Sequence, residues 1–229
     1  MTDRLRLVIF DVDGTLVDSQ ADIAGAMRIA FGTIGAEPPE REAVLGIVGL
    51  SLPQAMEVLA PDCATSDHQK LVEAYKEAYV SLRSRADVSV TSPLYPGALE
   101  VLDQLKAQDH TLLGIATGKS RRGLDVLVQA HELDGYFINQ QVSDFHPSKP
   151  HPAMLQAALS ETGFEAAQAV MIGDTSYDMD MARAAGVAGL GVSWGYHDKT
   201  KLIAAGARRI VDRFDEVPRA VDELLKVTA

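Results

Sequence analysis

Seven residues of this 229-residue chain have types and spacing that could do chemistry together: Asp11 and Asp13, Thr117 and Gly118, Lys149, and Asp174 with Asp178. Asp11 and Asp13 end the apolar run Leu7 to Phe10 and precede Gly14, a turn residue. Two carboxylates so placed suit an acid/base pair, a metal site, or a polar turn that caps a strand. A calcium-binding loop starting at Asp11 is excluded, because its sixth and twelfth positions hold Leu16 and Asp22 where Gly and Glu are needed. Asp174 and Asp178 are four residues apart, close to one helical turn, so both can face the same side of a helix start. Alone, Asp174 would serve equally as an N-cap. Three or four carboxylates brought together repel one another, and a hard divalent ion with oxygen ligands, such as magnesium, is the natural counter-charge.

Thr117 and Gly118 offer a hydroxyl and a sterically bare amide just before a helical pattern, and helix N-termini present unpaired N–H groups that suit phosphate. The same two residues would also serve as a plain strand end and turn. Lys149, between Pro147 and Pro150, is either a solvated surface lysine or an ammonium held against an anion. Gly118-Lys119-Ser120 ends like a nucleotide-binding loop, but the glycine needed five residues earlier is Leu113, with Gly114 one place late. No Gly-x-Gly-x-x-Gly follows a strand, so no dinucleotide cofactor is indicated.

The elements that must position these residues follow from periodicity. Leu7 to Phe10 are apolar without alternation, the pattern of a parallel strand covered on both faces. From about 17 to 92 the apolar residues recur at helical spacing: Ile23, Met27 and Ile34; a piece from Leu45 to Ala60 broken near Gly46–Ser51; then Leu71, Tyr75 and Leu82. At Ser92-Pro93-Leu94-Tyr95-Pro96-Gly97 the pattern changes. Strands are expected beyond it at 111–117, 137–143, 169–172, 187–192 and 209–211, separated by helices, which implies a mostly parallel sheet covered on both sides. The first strand belongs to that sheet, so the helical block is an insertion. In doubly wound sheets ligands bind beyond the carboxyl ends of the strands, where the seven residues fall.

Composition narrows the partners. A formal charge of −11 with no basic run disfavours nucleic acid or an anionic membrane surface. Cys63 is the single cysteine, expected as a small packed residue, so no internal disulfide forms. The four apolar residues before Asp11 are too few for a signal peptide and no window suits a membrane span, so a cytoplasmic location is expected.

Asp11-Val12-Asp13-Gly14-Thr15-Leu16-Val17-Asp18-Ser19, Thr117-Gly118, Lys149-Pro150-His151-Pro152 and Gly173-Asp174-Thr175-Ser176-Tyr177-Asp178 together resemble the four motifs of the haloacid dehalogenase superfamily, in order. The resemblance spans residue 8 to about 195, and Gly191 to Tyr196 is similar to a segment of bacterial phosphoglycolate phosphatases. It implies an α/β fold: a Rossmann-like doubly wound parallel sheet, residues 1–16 with 94–229, and an inserted all-helical cap of the C1 type, residues 17–93. It further implies a phosphatase acting on a small phosphorylated metabolite, with phosphoglycolate the favoured guess.

By the same resemblance Asp11 is the nucleophile that becomes an aspartyl-phosphate, and Asp13 the general acid and then base. Magnesium would be held by the Asp11 carboxylate, the Asp13 backbone carbonyl, Asp174 and Asp178, the last directly or through water. Thr117, Gly118 and Lys149 would hold the phosphoryl oxygens. Asp13 argues against the dehalogenases, which lack it and use no metal, whereas a mutase of the β-phosphoglucomutase type keeps both aspartates and the same cap. A signalling receiver domain is the alternative from another class, but its acceptor aspartate follows a later strand and no helical insert intervenes. Arg28, Arg41, Arg83 and Arg85 are candidate partners for a substrate carboxylate, and Gly46–Ser51 is the candidate loop that enters the site on closure.

Overall fold

The computed structural model describes residues 5–84 and 87–226. Among them six strands form one parallel sheet: β1 (Arg6–Phe10), β2 (Thr111–Thr117), β3 (Asn139–Val142), β4 (Ala169–Gly173), β5 (Ala188–Val192) and β6 (Arg209–Val211). Their spatial order is β3-β2-β1-β4-β5-β6. The chain therefore builds outward from β1 on one side through β2 and β3, then on the other through β4 to β6. The reversal falls between β1 and β4, the crevice where doubly wound sheets bind their ligands.

The absence of alternation in β1 has its explanation in the two faces it serves. Val8 and Phe10 pack with Leu102, Leu105, Leu124 and Val221 on one side of the sheet. Leu7 and Ile9 pack with Met154, Leu155 and Met181 on the other. Each such side chain contributes about 1.5–3 kcal/mol when fully buried, so the central strand is anchored from both directions and the turn that follows it has a fixed base.

Five helices occupy the segment between β1 and β2's lead-in: α1 (Gln20–Thr33), α2 (Arg41–Gly46), α3 (Leu52–Leu59), α4 (Thr65–Ser84) and the single turn α5 (Val88–Thr91). The first four share a core around Met27, Phe31, Val44, Met56 and Leu71, with Cys63 packed partly buried at its edge. The break foreseen between Gly46 and Ser51 separates α2 from α3. The chain leaves and returns through one narrow joint. Val17 bridges Leu94, the Asp18 amide donates to the Pro93 carbonyl at 2.9 Å, and the Tyr95 amide donates to the Leu16 carbonyl at 2.9 Å.

The remaining helices flank the sheet: α6 (Ala98–Lys106), α7 (Arg121–Ala130), α8 (Ala153–Thr162), α9 (Ser176–Ala184), α10 (Lys199–Ala205) and α11 (Val217–Lys226). The strand expected over 137–143 is shorter, because Phe137 turns into the core and Ser143 donates its amide to the Lys119 carbonyl. No helix among the described residues is long and apolar enough to cross a membrane.

Candidate active site

Beyond the carboxyl end of β1 the chain turns tightly: the amides of Thr15, Leu16 and Val17 all converge on the Val12 carbonyl. Gly14 makes the turn possible. Its φ of +82° lies in the left-handed region, and a Cβ there would sit 2.2 Å from an Asp174 carboxylate oxygen. Space at this position is what lets the loop after β1 and the loop after β4 close on each other.

Three carboxylates meet there. Asp11, Asp174 and Asp178 are all buried and each offers an oxygen within 4.8 Å of the others. Asp174 is fixed from two sides, accepting from the Thr15 hydroxyl at 2.8 Å and from the Tyr196 amide at 2.8 Å. Asp178 sits in the first turn of α9 and closes a reciprocal cap with Thr175, whose hydroxyl donates to it at 2.7 Å. The cap of α9 is therefore Thr175, not Asp174, which is left free for other work. Asp11 differs from both: its shielded carboxylate takes no hydroxyl or amide donor, Oδ1 facing only Lys149 and Oδ2 having no partner.

Lys149 is fully buried, not a surface lysine. Its ammonium lies 2.9 Å from Asp11 and 2.6 Å from Asp178. Burial alone would lower its pKa, but Asp11 and Asp178 outweigh that and hold it charged. Burial pushes the Asp11 carboxyl up to about 7, against the pull of Lys149 and with the help of Asp178. Burial, then Asp178 and Asp11, raise Asp174 well above the usual carboxylate range. Three carboxylates around one ammonium leave two negative charges in excess, in a shell made only of oxygens. A hard divalent cation fits this set by charge and by ligand type, and the Asp11 carboxylate, which takes no hydroxyl or amide donor, is open to it.

Asp13 stands apart from the trio. Its carboxylate takes two hydrogen bonds from Lys119, at 2.7 and 2.8 Å, and one from the Ser19 hydroxyl. Burial would raise its pKa, but Lys119 and Ser19 overcome this and hold it below the ordinary value. The two aspartates, two residues apart, thus differ in their partners, Lys149 for Asp11 and Lys119 for Asp13.

Thr117 and Gly118 end β2 beside this cluster, both lining the same cleft as Asp11 and Asp13. The Thr117 hydroxyl accepts from the Lys119 amide at 3.2 Å, which curls the loop into α7. A Cβ on Gly118 would lie 2.7 Å from the Gly49 carbonyl and 2.9 Å from that of Leu50. The insert therefore rests directly on this glycine. It is also held by the Ser51 amide on the Ser148 hydroxyl at 2.6 Å, and by the Gly46 carbonyl, which accepts from the Tyr177 hydroxyl and from His197 at 3.1 Å each. The 46–51 loop is accordingly seated over the strand ends. Gly118→Ala is expected to prop it off the core and lower kcat/KM on the order of 10²-fold, checked by steady-state kinetics beside an unchanged circular-dichroism spectrum.

The four arginines separate. Arg83 lines the cleft, with Nε 3.5 Å from Asp22 and Nη2 donating to Ser92 at 3.2 Å. Arg28 and Arg41 line a separate small depression with Pro38 and Pro39, and Arg85 lies outside the described residues. Sequence reasoning missed Lys119, weighed only as part of a nucleotide loop, and Thr15, Ser19 and Tyr79. Tyr79 shares the Lys119 ammonium with Asp13, its hydroxyl accepting at 3.1 Å. The Gly191–Tyr196 segment, noted only for its likeness, buttresses the site: Trp194 donates to the Thr15 carbonyl at 3.1 Å and Tyr196 to Asp174.

Comparison with known proteins agrees with this geometry. The haloacid dehalogenase-like hydrolase family model matches residues 8–192. The probable phosphatase IndB of Dickeya dadantii is 36% identical over 97% of this chain and 96% of its own. A phosphoglycolate phosphatase of Caulobacter vibrioides is 32% identical over 95% and 91%. Among solved structures, a haloacid dehalogenase-like hydrolase from Streptococcus pneumoniae superposes with a TM-score of 0.82 at 25% identity, covering 96% of this chain and 99% of that one. Four motif segments meeting at one switch point, and a family match across most of the chain, place this protein in the haloacid dehalogenase-like hydrolases.

Proposed function

We propose that the chain is a magnesium-dependent phosphatase that hydrolyses a small phosphomonoester through an aspartyl-phosphate on Asp11. The observation that carries this reading is the Asp11 carboxylate, buried just beyond β1, with Oδ1 paired to Lys149 and Oδ2 without a partner. That second oxygen is free to attack phosphorus. In the first step an Asp11 oxygen bonds to phosphorus, the bond to the ester oxygen breaks, and Asp13 gives that oxygen a proton. In the second a water oxygen bonds to phosphorus, Asp13 takes the water's proton, and the acyl phosphate bond breaks to restore Asp11.

Thr117, the Gly118 amide and Lys149 hold the phosphoryl oxygens in both steps. Lys119 and Ser19 hold Asp13 ionised in the free protein, the form that accepts water's proton; to donate in the first step, Asp13 must first take up a proton from solvent as the substrate arrives. Magnesium, bound by Asp11, Asp174, Asp178 and the Asp13 carbonyl, would offset charge on the phosphoryl group. The insert, residues 17–93, acts as the lid over a core made of 1–16 and 94–229, and its seating shields the site from bulk solvent while leaving room for the attacking water. Phosphoglycolate, the compound in the names of several relatives, is the first substrate to assay.

Hydrolysis of an aryl phosphate by purified protein should fall about 10²-fold or more in excess chelator and return when magnesium is added back. Turnover unaffected by chelation would sink the metal-dependent reading.

A further inference from the structure

The cleft beside Asp11 and Asp13 has a volume of about 940 Å³, near the top of the roughly 300–1,000 Å³ range of pockets that hold drug-sized ligands. This is not the gape of a raised lid. The insert is seated on the core through Gly118, Ser148, Tyr177 and His197, and Tyr79 reaches Lys119 across the gap. The volume belongs to the closed arrangement. A two-carbon acid with its phosphoryl group would leave most of it to water.

The walls carry a second indication. Beyond the carboxylates they are largely apolar, with Met27, Leu50, Leu52 and Val80 from the insert facing Val126 of the core. Val80 and Val126 are 42% and 39% exposed, one on the insert and one on the core. Of the cations in the lining, buried Lys119 and Arg83 already face Asp13 and Asp22, Lys76 pairs with Glu73, and Arg122 is exposed. Arg83 keeps Nε and Nη1 without a hydrogen bond, and Nη1 is open to an acceptor on a bound molecule.

We infer that the alcohol part of the substrate is a bulky, ring-sized and largely apolar group seated between Leu52 and Val80 of the insert and Val126 of the core, not a two-carbon acid. The inference rests on the phosphatase reading and concerns only what leaves when phosphorus is attacked. Apolar surface buried at the rims supplies binding that a short acid cannot, and enclosing the ring completes the water-tight seal that the small ester leaves open.

The test compares kcat/KM with magnesium for ethyl, benzyl and cyclohexylmethyl phosphates and phosphoglycolate. The first three are esters of primary alcohols of similar leaving ability, so differences report the fit of the alcohol. Benzyl and cyclohexylmethyl phosphates should exceed ethyl phosphate and phosphoglycolate at least tenfold, about 1.4 kcal/mol. Val80→Trp, which fills the rim, should lower the benzyl-to-ethyl ratio at least fivefold, and that ratio is independent of the fraction of enzyme folded. Ethyl phosphate or phosphoglycolate turned over as well as the ring esters, or a ratio unmoved by Val80→Trp, would overturn this inference and leave the phosphatase reading standing. No hydrolysis of any ester would overturn both.

Discussion

Asp11→Asn is expected to abolish turnover, a loss of roughly 10⁴-fold or more as for other covalent nucleophiles, while making the metal-free protein more stable. The two effects share one cause. The carboxylate is buried, near Asp178 and Asp174, and its pairing with Lys149 only partly offsets its desolvation. Its folded pKa of about 7 lies above the ordinary carboxylate value of 3.8, so the folded state binds the proton more tightly. Asp11 therefore costs nothing below the lower value, and lowers stability progressively as pH rises through that interval. An amide removes the cost. In chelator, the thermal midpoint of Asp11→Asn should exceed that of the parent at pH 8, with a much smaller difference at pH 4. Equal midpoints at both pH values would mean that the carboxylate is better solvated than its surroundings indicate.

Lys149→Met should have the opposite effect on stability and the same effect on turnover. The ammonium is the one positive charge among three buried carboxylates, 2.6 Å from Asp178 and 2.9 Å from Asp11. Breaking a buried pair by removing one partner typically costs about 3–5 kcal/mol, so a urea midpoint shift of that size is expected without metal. Turnover should fall roughly 10²–10³-fold through the lost phosphoryl contact. Magnesium should bind more tightly, because the site has lost a competing positive charge, and titration calorimetry would show the gain. Weaker magnesium binding would place Lys149 in support of the metal site instead of in competition with it.

Much of the fold is legible in the sequence because each strand has one dominant reason to form. β1 reads as doubly covered from Leu7 to Phe10 alone, and β2 and β6 fall at the expected residues because apolar runs end at Thr117 and Val211. The helical insert is legible from periodicity. The seven candidate residues are legible as types: the structure gathers Asp11, Asp174, Asp178 and Lys149 tightly, and sets Thr117 and Gly118 on the same cleft. What the linear chain hides is pairing. Nothing in the spacing of Asp11 and Asp13 says that one meets Lys149 and the other Lys119, 106 residues away. Lys119 looks like part of a failed nucleotide loop because the rule applied to it concerns backbone spacing, whereas its role is fixed by a long side chain crossing to another loop. The size of the cleft is hidden for the same reason, since it depends on how the insert is seated.

The central claim, a phosphoryl group carried on Asp11, is tested most directly with Asp13→Ala and p-nitrophenyl phosphate in the presence of magnesium. Nitrophenolate leaves without a proton, so the first step should proceed while the second, which needs a base, stalls. The expected result is a burst of one nitrophenolate per active site, followed by slow turnover, with phosphate bound covalently to Asp11 after acid quench. Steady release with no burst, or label recovered on any other residue, would contradict it.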